Sequence, residues 1–124
     1  DLQRDHRVVV VEGPNRPHDN DALMLAVRRV SRQLHAGNLL VAKADAVVLL
    51  SQTDLNWNHF RDLILAELGG GRCKVGVGDV CHGPTDFPRS YREARLALRM
   101  QRVAKAADSA TSYADLGVYR ILAE

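Results

Sequence analysis

Carboxylates, thiols, imidazoles and guanidinium groups are spread along this chain, but few fall at the spacings that chemistry requires. Cys81 and His82 are adjacent, with Asp79 and Asp86 close by; a metal ion there needs further ligands from distant segments. His18, His35 and His59 have no partner one helical turn away and read as surface or boundary residues. Cys73 and Cys81 match neither a disulfide framework nor a set of zinc ligands, so two free thiols in a reducing compartment is the plain reading. Gly76-Val77-Gly78 lacks the third glycine and the following helix start of a dinucleotide-binding turn. A strand exit or close helix packing accounts for it better. No Ser, His and Asp order suggests a triad. The most regular pattern is cationic: Arg89, Arg92, Arg95, Arg99, Arg102 and Lys105 recur at three- or four-residue intervals, a basic stripe along one helix. Such a stripe can meet phosphates. With a formal net charge of only +2, a solvated outer face is the favoured reading.

The elements that must position these groups follow from the apolar pattern. The 124 residues suit one domain with one core, and 46% hydrophobic with 26% charged residues argues against disorder. No apolar run approaches the length of a membrane span, and the charged start has no signal-peptide core, which predicts a cytoplasmic protein with no membrane contact. Val8 to Val11 is uninterrupted and β-branched, the pattern of a strand buried on both faces. Leu23, Ala26, Val27, Val30 and Leu34 predict a helix with an acidic start at Asp19 to Asp21, closed by Gly37 and Asn38. Leu39–Ala42 and Ala46–Leu50 are spaced as a hairpin. Phe60, Leu63, Ile64 and Leu68 mark a second helix stopped by Gly69-Gly70-Gly71, with Trp57 anchoring its start. Lys74–Gly78 reads as a strand and Phe87–Lys105 as a long helix, with Ser90 and Glu93 at capping-box spacing. A short edge strand near 110–113 and a last helix over 115–124 complete the order. The fold expected is α+β: an antiparallel sheet with a β-α-β-β-α-β core in a two-layer, ferredoxin-like arrangement. The strands hold no Phe, Tyr or Trp on which RNA bases could stack.

Four stretches in this order resemble the GGDEF-like domain of PucR/CdaR-type bacterial transcriptional regulators. They are Asp1-Leu2 with His6-Arg7 before the valine strand, and the hairpin Ala42-Lys43-Ala44-Asp45-Ala46-Val47-Val48-Leu49-Leu50. The others are Gly76-Val77-Gly78 followed by Ser90-Tyr91-Arg92-Glu93-Ala94-Arg95-Leu96-Ala97-Leu98, and Asp115-Leu116-Gly117-Val118-Tyr119-Arg120-Ile121-Leu122. The resemblance implies a nucleotide-cyclase-like fold over residues 1–124, cut from a larger regulator. A C-terminal helix-turn-helix domain, absent here, would bind the DNA.

In active cyclases of this fold, two glycines let the backbone approach the nucleotide, and nearby carboxylates bind the metal. Aligned on that hairpin, Lys43 and Ala44 occupy the glycine positions, Asp45 the aspartate and Ala46 the glutamate, with Glu12 a residual carboxylate at the end of the first strand. The resemblance therefore implies no catalysis, no metal and no cofactor, and a module that senses an unidentified small molecule or dimerises. The alternative is a degenerate domain that binds a nucleotide or retains weak cyclase activity. On the long helix, Tyr91, Ala94 and Leu98, with Ala97 and Gln101, form one apolar stripe, and Leu96, Met100 and Val103 a second on another side. One core needs one stripe, so the second expects a cover: the C-terminal segment around Leu116, Val118 and Ile121, or a partner, either a second copy or the DNA-binding domain.

Overall fold

Four consecutive valines leave no polar face to turn towards water, so the segment that carries them must be covered on both sides. The computed structural model describes residues 4–14, 20–52, 54–104 and 108–117, and Val8, Val9, Val10 and Val11 are buried in β1 (Arg7–Glu12) at the centre of a five-stranded sheet. β1 pairs antiparallel with β3 (Ala46–Ser51) on one side and β4 (Lys74–Val77) on the other. β2 (Leu39–Lys43) pairs antiparallel with β3, as the tight spacing predicts. β5 (Ala110–Ser112) adds a short parallel edge to β4, so the order is β2-β3-β1-β4-β5. The α+β fold and the antiparallel β-α-β-β-α-β core expected from the apolar pattern are present, and β5 is the one parallel addition.

Alternation along β1 divides its valines between the two faces. Val9 and Val11 join Val47, Leu49, Val75 and Val77 in packing against α1 (Asn20–Gln33) and α2 (Trp57–Glu67), which contribute Leu23, Val27, Trp57, Phe60 and Ile64. That sheet and its helical layer form the larger core. Val8 and Val10, with Ala46, meet Ala94 and Leu98 of α3 (Phe87–Val103), which closes the opposite face. Each fully buried valine contributes on the order of 1.5–2 kcal/mol.

Two helix ends differ in detail from the sequence reading. α1 is closed by His35, at φ 54°, and not by Gly37 and Asn38. The His35 N–H donates to the Arg32 carbonyl and the Ala36 N–H to the Ser31 carbonyl, the paired bonds of a Schellman end. Gly69, at φ 77°, closes α2 in the same way. Asn56 caps the start of α2, its side chain accepting from the His59 N–H at 3.1 Å. α3 begins at Phe87, after a 3-10 turn at Pro84–Asp86, so Ser90 and Glu93 are not its capping box. Of the helix expected over 115–124, residues 115 and 116 end a 3-10 turn (Tyr113–Leu116) whose Leu116 is buried, and residues 118–124 lie outside the described residues.

Ser90 has a different task. Its Oγ accepts from the Val8 N–H at 3.0 Å and donates to the Asp79 carbonyl at 2.9 Å, tying α3 to the central strand. Glu93 Oε1 accepts from the Asp79 N–H at 3.0 Å and from Arg89 at 2.8 Å, so one turn of α3 caps the β4 exit. This approach is close because Gly76 and Gly78 carry no side chain. A Cβ on Gly76 would strike the Ala94 carbonyl, and one on Gly78 the Ser90 backbone and hydroxyl. Further along, buried Gln101 donates to the Val75 and Ser109 carbonyls at 3.1 and 3.0 Å and fixes the edge strand. Replacing Gly76 by Ala forces α3 off the sheet and should cost about 3 kcal/mol, the range of an overpacked core. A urea melt in which Gly76→Ala keeps the wild-type midpoint contradicts this packing.

Candidate functional site

The hairpin singled out in the sequence lies at one end of the sheet, where β2 returns as β3. Ala44 sits at its tip with φ 55°, in the left-handed region where a Cβ is strained by roughly 1–2 kcal/mol. Lys43 pairs with Ala46, Ala46 with Glu12, and Glu12 with Lys74. Strand alternation puts all four side chains on the face that α3 covers. A single row across four strands thus reads lysine, alanine, glutamate, lysine. Ala46 is buried in the cluster with Ala94 and Leu98. Lys43 places its ammonium 4.3 Å from the centre of the Tyr91 ring on α3, an attraction between cation and ring face.

Glu12 and Asp45 do come together, with Gly13, in the lining of an open cavity of about 320 Å³, but the other lining residues are Arg72, Lys74 and Arg102. Arg72 and Lys74 share Asp108 at 3.3 and 3.9 Å. A cavity with two carboxylates and three cations receives an anion more readily than a divalent metal. Among the described residues no group of three or more His, Cys, Asp or Glu side chains could hold a metal ion.

The remaining candidates have structural employment. His82 Nδ1 lies 2.9 Å from Asp5, and the buried Cys81 thiol donates to the Asp86 carbonyl at 3.4 Å. Burial raises the pKa of both thiols, that of Cys73 from 9.0 to about 12, with Arg61 acting in the other direction. In the basic stripe, Arg92, Arg95, Arg99 and Arg102 are exposed, whereas Arg89 is held by Glu93 and the Val80 carbonyl. Lys105 lies outside the described residues. Trp57 is buried in the larger core, edge-on to Phe60 at 5.2 Å, as an anchor. Leu96 and Met100 are half-buried and Val103 is 69% exposed. The turn at 113–116 packs on α3; Val118 and Ile121 lie outside the described residues. At the far end of the sheet a larger hollow gathers His6, Ser31, Arg32 and Gln52, which the sequence does not bring together because they come from three separate segments.

The family model for the GGDEF-like domain matches residues 1–100. The chain belongs to the GGDEF-like domain family. The match includes β1, the β2–β3 hairpin, β4 and most of α3, the parts that build the row just described. A search of the curated proteins finds no match to the chain. Among the described residues no helix is long and apolar enough to cross a membrane.

Two outcomes follow from this geometry. Ala44→Gly relieves the left-handed strain and should raise stability by about 1 kcal/mol; a lower denaturation midpoint would contradict the tip conformation. Cys73 keeps its proton when folded at a pH where the unfolded chain gives it up. Its contribution is therefore intact below pH 9 and lost as pH rises towards 12, by up to about 1.4 kcal/mol per pH unit. Urea melts between pH 8 and 10.5 should show a decline that Cys73→Ala reduces.

Proposed function

We propose that this GGDEF-like domain is a non-catalytic regulatory module of a cytoplasmic, PucR/CdaR-type bacterial transcriptional regulator. It carries a signal or assembles a dimer, and DNA is contacted by a separate helix-turn-helix domain of the parent protein. The observation that carries the non-catalytic reading is the row Lys43–Ala46–Glu12–Lys74. A metal-dependent cyclase needs carboxylates converging on a divalent cation. Here the only carboxylate in the row stands between a buried methyl group and a lysine, and the hairpin lysine is drawn onto Tyr91. Incubation with GTP and Mg²⁺ or Mn²⁺, followed by chromatography, should yield no cyclic dinucleotide. Detection of one overturns the reading.

The partner assigned to the module is a second copy, through Leu96, Met100 and Val103 on α3. Exposed Val103 beside two half-buried apolar residues supports that surface. Val103→Glu should shift the domain towards monomer in sedimentation velocity without altering its fold, because Val103 is mostly solvent-facing. An unchanged sedimentation coefficient removes this face from self-association. A second reading, nucleotide binding without turnover, is favoured by Arg72, Lys74 and Arg102 in the hairpin-end cavity. In that case GTP raises the melting temperature and Arg102→Ala abolishes the rise.

A further inference from the structure

The hollow at the opposite end of the sheet has a volume of about 550 Å³, within the range of small-molecule sites. It is lined by His6 just before β1, Ser31 and Arg32 in the last turn of α1, and His35, Gly37 and Asn38 in the following loop. Leu39 opens β2, and Leu50 and Gln52 come from the end of β3 and beyond. None of these lining residues is a carboxylate. They offer a guanidinium, two imidazoles, two side-chain amides and a hydroxyl, a set of groups biased towards donating hydrogen bonds to a negative ligand.

One of these groups is left incomplete by the protein itself. Ser31 is 1% exposed, and its Oγ has no hydrogen-bond partner among the described residues. A hydroxyl buried this way is costly unless something else supplies its bond. His6 is buried at the cavity wall, with Nδ1 donating to the Arg4 carbonyl at 2.7 Å and Phe87 edge-on behind the ring at 5.8 Å. Arg32 is exposed at the rim, and with Arg28 it also lines a smaller neighbouring hollow that shares Gly37 and Asn38. The loop between these groups is held in place by the His35 turn, which keeps a non-glycine residue in left-handed backbone geometry.

We infer that this hollow is a binding site for a small anionic metabolite, with Arg32 meeting its carboxylate or phosphate oxygens and Ser31 completing its own hydrogen bond to the ligand. The site is separate from the hairpin end. Binding there stands on these residues alone, and only its use as an effector site rests on the regulatory reading above. A cyclase product in the GTP assay would remove that reading and leave the site intact.

Succinate and inorganic phosphate are the probes, each titrated against the domain by thermal shift and by amide NMR. The expected result is a saturable rise in melting temperature with one probe or both, and shifted amides confined to residues 31–39 and 50–52. A carboxylate source gives the succinate response and a phosphate source the phosphate response. Arg32→Ala, at an exposed position, should weaken binding roughly tenfold or more, the loss of a charge-assisted contact. Ser31→Ala should do two opposite things: raise the melting temperature of the free domain, by removing an unpartnered buried hydroxyl, and reduce the ligand-induced shift. Arg102→Ala, at the other cavity, should change neither. The inference is overturned if neither probe binds, if Arg32→Ala and Ser31→Ala bind as wild type does, or if Arg102→Ala is the variant that loses binding.

Discussion

The architecture depends on one close contact, the Ser90 hydroxyl held between the Val8 N–H and the Asp79 carbonyl. It can form only because Gly76 and Gly78 let the backbone of α3 lie against β4. From that anchor the rest of the face follows. Ala94 and Leu98 cover Val8 and Val10, Glu93 caps the β4 exit, and Gln101 fixes the last strand. Tyr91, one residue beyond the anchor, is thereby placed to receive Lys43 from the hairpin. The glycines and the serine act as a single device: lengthening any one side chain disturbs the others.

That device also holds α3 on the sheet at a distance from the hairpin tip. α3 presses on the sheet mainly through Ser90, Ala94 and Leu98; of the hairpin residues, Ala46 joins that buried cluster, whereas Lys43 and Ala44 do not. The tip is held by ring, packing and charge contacts. Lys43 is stabilised by the Tyr91 ring, Ala46 by burial, and Glu12 stands opposite Lys74. Ala44 holds backbone geometry suited to glycine at a small energetic cost. The surroundings reinforce this, since Arg72, Lys74 and Arg102 line the cavity at this end.

Much of the fold was legible in sequence because it rests on strong periodic signals. The valine run required a central strand, the Leu39–Leu50 spacing required a hairpin, and the three glycines after Leu68 ended α2. The reading of Gly76-Val77-Gly78 as close helix packing holds for the same reason: spacing of two in a strand puts both glycines on one face. What the sequence concealed was tertiary. Ser90 and Glu93 fit a helix-start pattern, yet their partners lie on β1 and at the β4 exit, far away in the chain. His35 ends α1 although Gly37 is nearby, because the left-handed turn falls where the helix leaves the core. The replaced residues of the hairpin were visible, whereas the cations around them came from β4, the segment before it and α3. The hollow with His6, Ser31 and Arg32 was invisible for the same reason.

The central proposal is that this domain carries out no metal-dependent cyclase chemistry, because of the surroundings of the hairpin as well as the hairpin residues. Calorimetric titration of the variant carrying Lys43→Gly, Ala44→Gly and Ala46→Glu with GTP and Mn²⁺ tests it most directly. The account predicts no metal-dependent binding, since the residue at 46 faces the α3 packing layer and Lys74, Arg72 and Arg102 remain beside Glu12. Saturable GTP binding that requires Mn²⁺ would contradict it, and would place the whole effect in those three residues.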